Sequence, residues 1–318
     1  MEDLFRDWQK DTFWNRFESS DGSNLVYVKR EFEKEKGETM VFGMALRTAG
    51  TGWVVGNDTL EGKEVALSIS DFSITLERYR IAMKDDGDLT RRRPAFDLTA
   101  AQRNALKVEA TEKWDQLHFD AALLSPTTIV YGGDATTTAT IEVADKLTPQ
   151  LIQKLRVIAV TGNGGGNTRM RPVMVDGQRV FVMVLPNEVG YDFKNDPTYA
   201  QYIREAAERG RANPFWTGAL AVVDNVALFE HENMPVYDTW GATSAIHGGK
   251  CLFLGAGALC TAVGQTPNTV DKRFDYDEQL GMAYRMTMAV AKPDFNNAAG
   301  AATDYGVIEA RVACTNLM

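Results

Sequence analysis

The sequence predicts a mixed α+β protein, and three observations carry that prediction. Residues 63–83, KEVALSISDFSITLERYRIAM, place apolar or aromatic side chains at 65, 67, 69, then 72, 74, 76, then 79, 81 and 83. That period of two belongs to a strand. Further on, Leu106, Ala110, Trp114, Leu117, Ala121 and Leu124 recur at spacings of four, four, three, four and three, one stripe of an α-helix. Strand and helix signals then follow one another without the regular βαβ alternation of a parallel sheet, and no internal repeat is visible.

The chain has 318 residues, enough for two domains or one large domain with insertions. Apolar residues make up 44% and aromatics 10%, so a sizeable core can form. Lys and Arg number 34 against 43 Asp and Glu, a formal charge of −9. That is not the footprint of a protein whose main surface grips nucleic acid. Residues 1–20 are charged and lack the apolar stretch of a secretory signal, and no apolar run predicts a membrane span. The three cysteines, Cys251, Cys260 and Cys314, are odd in number and widely spaced, which fits a reducing compartment better than a disulfide framework.

Taken in order, residues 1–20 are polar yet carry Phe5, Trp8, Phe13, Trp14 and Phe17. Aromatics of that size need cover, which means either a short helix docked on its own domain or an arm laid on a neighbouring subunit. ETMVFGMALRT (38–48) reads as a strand facing the period-two run 63–83, with a bend expected near Asp71. Between them AGTGWVVGNDTLEG holds turn residues and three apolar ones that need cover, Trp53, Val54 and Val55. A two-stranded ribbon alone is marginal in water, so its partner is another sheet or another chain. Thr99-x-x-Gln102 has the form of a capping box, opening the helix 99–124 that Pro126 ends. Thr148-Pro149 opens a second helix, whose last turns include RVIAV. RPVMVDGQRVFVMVLP (171–186) reads as a hairpin turning at Asp176-Gly177. A third helix spans 195–210, and two strands flank Asp224-Asn225. A buried strand at 251–264 and β-segments at 278–295 and 304–314 close the chain.

The glycine-rich stretch TGNGGGNTR (161–169) tests for chemistry. A dinucleotide fingerprint needs strand, G-x-G-x-x-G, then helix. Here the third glycine position is Asn167, a helix signal precedes the loop and a hairpin follows it, so the order is reversed. Gly249-Lys250 fails as a P-loop, because Ser244 and Cys251 stand where a glycine and a Ser or Thr are required. His118, His231 and His247 form no metal-binding spacing with the cysteines, and there is no G-x-S-x-G elbow. No catalytic, cofactor-binding or metal-ligating residue is therefore assigned. The arginines Arg91, Arg92, Arg93, Arg169 and Arg171 suit protein–protein contacts in so acidic a chain.

The order of a terminal arm, a long ribbon, one long helix, a mixed region and a returning strand resembles the major capsid proteins of tailed phages, whose α+β fold is named after phage Hong Kong 97 (the HK97-like fold). RPVMVDGQRVFVMVLPNEV, RGRANPFWTGALAVVDNVALFEHENMPVY, FLGAGALCTAVGQ, DYDEQLGMAYRMTMAVAKPDFN and TDYGVIEARVAC resemble segments of the N4-like members, with Ala221 in place of an expected glycine. The resemblance implies a non-enzymatic shell protein without cofactors that assembles with itself, as hexamers and pentamers, into an icosahedral virion capsid. Portal, scaffolding or decoration proteins and packaged double-stranded DNA are the implied further partners, without a membrane, and assembly is implied to occur in the host cytoplasm. The implied parts are an N-terminal arm (1–25), a lead into the P-domain (26–37), an E-loop ribbon (38–70), a P-domain with its spine helix 99–124 (71–146), an A-domain (147–272) and a return to the P-domain (273–318). Intersubunit contacts are then expected at Phe5, Trp8, Trp14, Trp53, Val54, Val55, Arg91, Arg92, Arg93, Arg169 and Arg171. A cellular compartment shell of the same fold and a soluble enzyme using the glycine loop or a Cys–His site are the alternatives.

Overall fold

The computed structural model describes residues 12–30, 38–45, 53–56, 59–64, 69–87, 97–162, 169–175, 178–206, 220–296 and 302–317. Its frame is two sheets and one long helix. The smaller sheet has the order β1-β2-β13-β14-β5, formed by Glu18–Ser19, Val26–Lys29, Leu259–Phe274, Gln279–Ala291 and Glu77–Lys84. The larger runs β6-β17-β12-β8-β10-β9, formed by Ile129–Tyr131, Val307–Ala313, Ile246–Leu254, Gln178–Leu185, Val226–Glu230 and Ala221–Val223. Two short strands extend it, β7 (Val173–Val175) on β8 and β11 (Val236–Trp240) on β12.

The larger sheet is covered on both faces, and the two-residue period of its strands sorts the side chains between them. Phe181, Met183 and Leu185 of β8, Cys251 and Phe253 of β12, and Ile308, Ala310 and Val312 of β17 point to one face. There they meet Leu151, Ile152 and Leu155 of helix α2 (Pro149–Thr161) and Val189 and Phe193 of α3 (Asn187–Lys194). Tyr199 of α4 (Pro197–Ala206) joins the same cluster. Val182, Val184, Leu252, Leu254 and Val307 point to the other face, against Phe13, Trp14 and the Phe119 and Ala122 side chains of helix α1 (Leu98–Leu123).

Helix α1 is the 26-residue rod that the sequence stripe predicts, with two differences. Its N-cap is Asp97, whose carboxylate accepts from the Thr99 and Ala100 amides at 2.9 and 3.3 Å, so the cap lies two residues before the predicted Thr99. Its buried face is also rotated. Leu106 and Ala110 are buried as expected and Trp114 and Ala121 pack partly buried on the same core, but the fully buried positions further along are Asp115, His118, Phe119 and Ala122, and Leu124 is exposed. Two of the newcomers are polar and are buried because each has partners. Asp115 accepts from the Phe13 amide at 2.8 Å, and His118 bonds Thr261 Oγ1 at 2.9 Å.

The second helix starts as predicted, with Thr148 accepting from the Leu151 amide and Pro149 at the first position. It stops at Gly162, whose φ of 73° only glycine adopts freely. The ribbon pairs β3 (Thr39–Ala45) with β4 (Ile69–Thr75) in antiparallel register. Asp71 lies within this ladder opposite Gly43, so the bend is not there. It falls at Leu76, where the chain leaves β4 and enters β5 of the smaller sheet. Strands β9 and β10 flank Asp224-Asn225, both with positive φ, as the hairpin signal predicts. Residues 251–264 are two strands, since β12 and β13 are separated by the turn Gly255–Ala258. The predicted segment boundaries cut across the sheets: position 272/273 falls inside β13, and β17 joins the larger sheet.

Candidate assembly surfaces

The described chemistry-bearing groups are occupied structurally. Helix α2 precedes the glycine stretch, so its C-terminal end, the negative end of the helix dipole, faces that loop; glycines 164–166 lie outside the described residues. Burial pushes the Cys251 thiol far up and those of Cys260 and Cys314 up to about 12. None is primed as a thiolate nucleophile. His118 is fully buried, stacked on Trp14, and its pKa is lowered to about 4 by desolvation. His247 bonds Asp238. Among the described residues no three His, Cys, Asp or Glu side chains converge on a metal position, and no helix is long and apolar enough to cross a membrane.

What the fold leaves open are apolar surfaces. The ribbon is the most exposed of them: Trp53 is 88% and Val55 86% accessible, Val54 is half-buried, and Leu60 and Val41 are exposed. An indole that exposed gains nothing from its own chain, while full burial of such a side chain elsewhere is worth roughly 1.5–3 kcal/mol. A second surface lies on the edge of the larger sheet, where Val157 and Val160 of α2 and Val222 of β9 are exposed beside the Arg156–Asp224 ion pair at 2.8 Å. A third is the β7–β8 hairpin, with Met174 and Val175 exposed. The fourth is the far end of the β13–β14 hairpin. There Tyr276 is fully exposed within a turn, Asp275–Tyr276–Asp277, whose φ values of 48°, 51° and 72° lie in the left-handed region.

Of the predicted contact residues, Trp53, Val54 and Val55 sit on the exposed ribbon, and Arg169 and Arg171 are exposed. The Arg171 carbonyl accepts from the Ala256 amide at 2.7 Å, which ties this arginine to the turn between the two sheets. Trp14 is different. It is fully buried in its own chain, edge-on to Phe119 at 5.0 Å between ring centres, and is spent on the subunit's core. For residues 12–17 the docked alternative holds. Phe5, Trp8, Arg91, Arg92 and Arg93 lie outside the described residues. The edge, hairpin and tip surfaces escaped the sequence reading. The one available signal was Asp-Tyr-Asp set between two long alternating runs.

A groove of about 780 Å³ separates α1 from the segment after β10. It is lined by Phe13, Arg16, Glu112, Asp115, Glu230 and Glu232 among others, and its character is acidic.

One sheet covered on both faces, a second sheet, one rod-like helix and a ribbon with an unburied apolar tip make up a subunit of the HK97-like capsid fold. The chain belongs to the phage capsid protein family, whose model matches residues 3–123 and 118–315. It is 27% identical to the major capsid protein of Pseudomonas phage KPP25, over 98% of this chain and 93% of that protein. Among solved structures, the capsid of Ralstonia phage GP4 matches with a TM-score of 0.84 at 23% identity, over 98% of this chain and 93% of that one. The capsid of cyanophage Pam1 matches with a TM-score of 0.77 at 16% identity, over 96% and 94%.

Proposed function

We propose that this protein is the major capsid protein of a tailed phage, building an icosahedral shell from hexamers and pentamers around the packaged genome. The observation that carries the reading is the coextensive match: a phage capsid family covers the chain almost end to end, and a solved capsid subunit superposes on nearly all of both chains. A cellular compartment shell of the same fold is the weaker reading, because the family and the curated relative are both phage capsid proteins.

The parts take roles accordingly. The ribbon β3–β4 is the E-loop, reaching with Trp53–Val55 onto an adjacent subunit. Helix α1 and the smaller sheet form the P-domain, and the larger sheet with α2–α4 forms the A-domain that faces each capsomer's axis. Residues before Leu25 are the N-terminal arm, whose root is stapled to α1 by the Asp115 bonds to Phe13 and Trp14. The role is structural rather than catalytic. Portal, scaffolding or decoration proteins are the expected partners. DNA is held inside without sequence preference, as the net charge of −9 suits. Assembly takes place in the host cytoplasm.

Electron microscopy of the expressed protein, alone and with the phage's other head proteins, tests the reading. Rings or closed particles far heavier than 35.2 kDa are expected. A product that stays monomeric in both cases overturns it.

A further inference from the structure

One buried cluster has no role in the shell reading. Lys292, between β14 and β15 (Asp294–Asn296), and Asp304, at the end of β16 (Ala302–Asp304), are buried. Their side chains meet at 2.7 Å. Lys292 Nζ also donates to the carbonyls of Leu124 and Ser125 at 2.6 and 3.0 Å, just past the end of helix α1. All three N–H groups of an ammonium are thereby used, so Lys292 is a charged clamp on the helix end. On the other side, Asp304 Oδ2 accepts from the Thr127 amide at 2.8 Å, and the Asp304 amide donates to Thr127 Oγ1 at 3.2 Å.

That leaves Asp304 Oδ1, buried and without a donor. A buried acceptor left so is costly. The side chain beside it is that of Asp294, an exposed residue and the direct cross-strand partner of Asp304 on β15–β16. Two carboxylates offer each other only acceptors, so the contact is a hydrogen bond only when one carries a proton. We propose that Asp294 and Asp304 share one proton, and that this proton latches the β15–β16 clasp to the end of helix α1.

The charges around the pair agree. Lys292 is one cation facing two carboxyls, so full ionisation leaves a net negative charge beside the buried Asp304, although Asp294 itself is exposed. Phe72 of β4 packs on Phe295 of β15 with ring centres 6.3 Å apart, and the Tyr305 ring lies 5.9 Å from Phe295. From the helix end come the two carbonyls and Thr127, with no further charge among the described residues. Residues 297–301, Asn-Ala-Ala-Gly-Ala, hold no titratable side chain. The Asp294 carboxyl is raised to about 6, first by the hydrogen bond to Asp304, then by burial. A raised carboxyl stabilises the clasp at low pH, and that stability is lost as pH rises from about 4 through 6. Since β15 packs on β4, release of the proton loosens the root of the ribbon together with the helix end.

Hydrogen exchange on the protein in its purified assembly state tests this, whatever shell it forms. Peptides spanning 292–306, corrected for intrinsic exchange rates, are expected to lose protection on the order of tenfold between pH 5 and pH 7.5, while β12 does not. In Asp294→Asn the carboxamide supplies the donor at every pH, and the dependence is expected to vanish. Equal wild-type protection at both pH values overturns the latch, as does an unchanged pH dependence in the variant.

Discussion

Single residues set how the interior responds to acid and to crowding. Buried His118 refuses a proton until pH falls to about 4, whereas the unfolded chain takes one at about 6.5. The unfolded state therefore binds more protons in that window. Stability present above pH 6.5 is lost as pH falls toward 4, by about 3 kcal/mol in full. Thermal unfolding from pH 7 to 4 measures this, and His118→Gln is expected to start lower but lose the slope. An equally steep variant would assign the acid sensitivity elsewhere. This sign is opposite to that of the Asp294–Asp304 pair, so global unfolding and local exchange at the clasp respond to acid in opposite directions. Glycines differ in the same concrete way. A Cβ on Gly306 would sit 2.5 Å from the Ala258 Cα, backbone against backbone, so Gly306→Ala is expected to cost about 1–3 kcal/mol in chemical denaturation. At Gly190 the obstacle is the movable carboxylate of Glu230, and the same substitution costs mainly the partly exposed Lys194–Glu230 pair, about 0–1 kcal/mol. Neither outcome was legible in the sequence, where both residues are simply glycine and the neighbours that decide come from distant strands.

At the scale of elements, legibility followed locality. The Thr148-Pro149 start of α2 and the Asp224-Asn225 turn were read correctly because the atoms that decide them lie within three residues. The α1 cap was misplaced because Thr99 and Asp97 both offer an oxygen and only geometry chooses. Asp97→Ala is expected to cost about 1 kcal/mol, measured by thermal unfolding, with Thr99→Ala nearer zero. The buried face of α1 was misjudged for a different reason: an apolar stripe cannot reveal that Asp115 and His118 find partners on the N-terminal segment and β13. Helix α3 was missed altogether, since its eight residues show one apolar repeat only, Val189 to Phe193. The β13–β14 tip shows the converse, an element whose strain suggests a use. Tyr276→Gly relieves a left-handed tyrosine and is expected to raise subunit stability by roughly 1 kcal/mol. A stabilised subunit whose particles assemble poorly in electron micrographs would place Tyr276 in an intersubunit contact; normal particles would remove it.

For the whole molecule, the shell class was legible from the order of segments, and the division into two sheets was not. Strands 246–274 pass from the larger sheet to the smaller through Gly255–Ala258, and that crossing depends on close approaches no local pattern encodes. Deleting residues 45–60 removes the exposed tip while sparing both cores. The subunit is expected to keep its thermal transition within a few degrees and to lose shell formation in electron micrographs. Shells built normally without it would end the E-loop assignment. Only one residue separates the ribbon from β5: β4 ends at Thr75, β5 begins at Glu77 in another sheet, and the Leu76 side chain sits where a Cβ on Gly264 would touch it at 2.8 Å. A closed shell bends more sharply at its vertices than across its faces, yet every copy of the chain is identical. The root of the ribbon is packed, with Met40, Phe42 and Ile74 buried against Cys260, Ala262 and Ala289 of the smaller sheet, so it moves with that sheet and differences in local curvature fall to the exposed tip around Trp53–Val55.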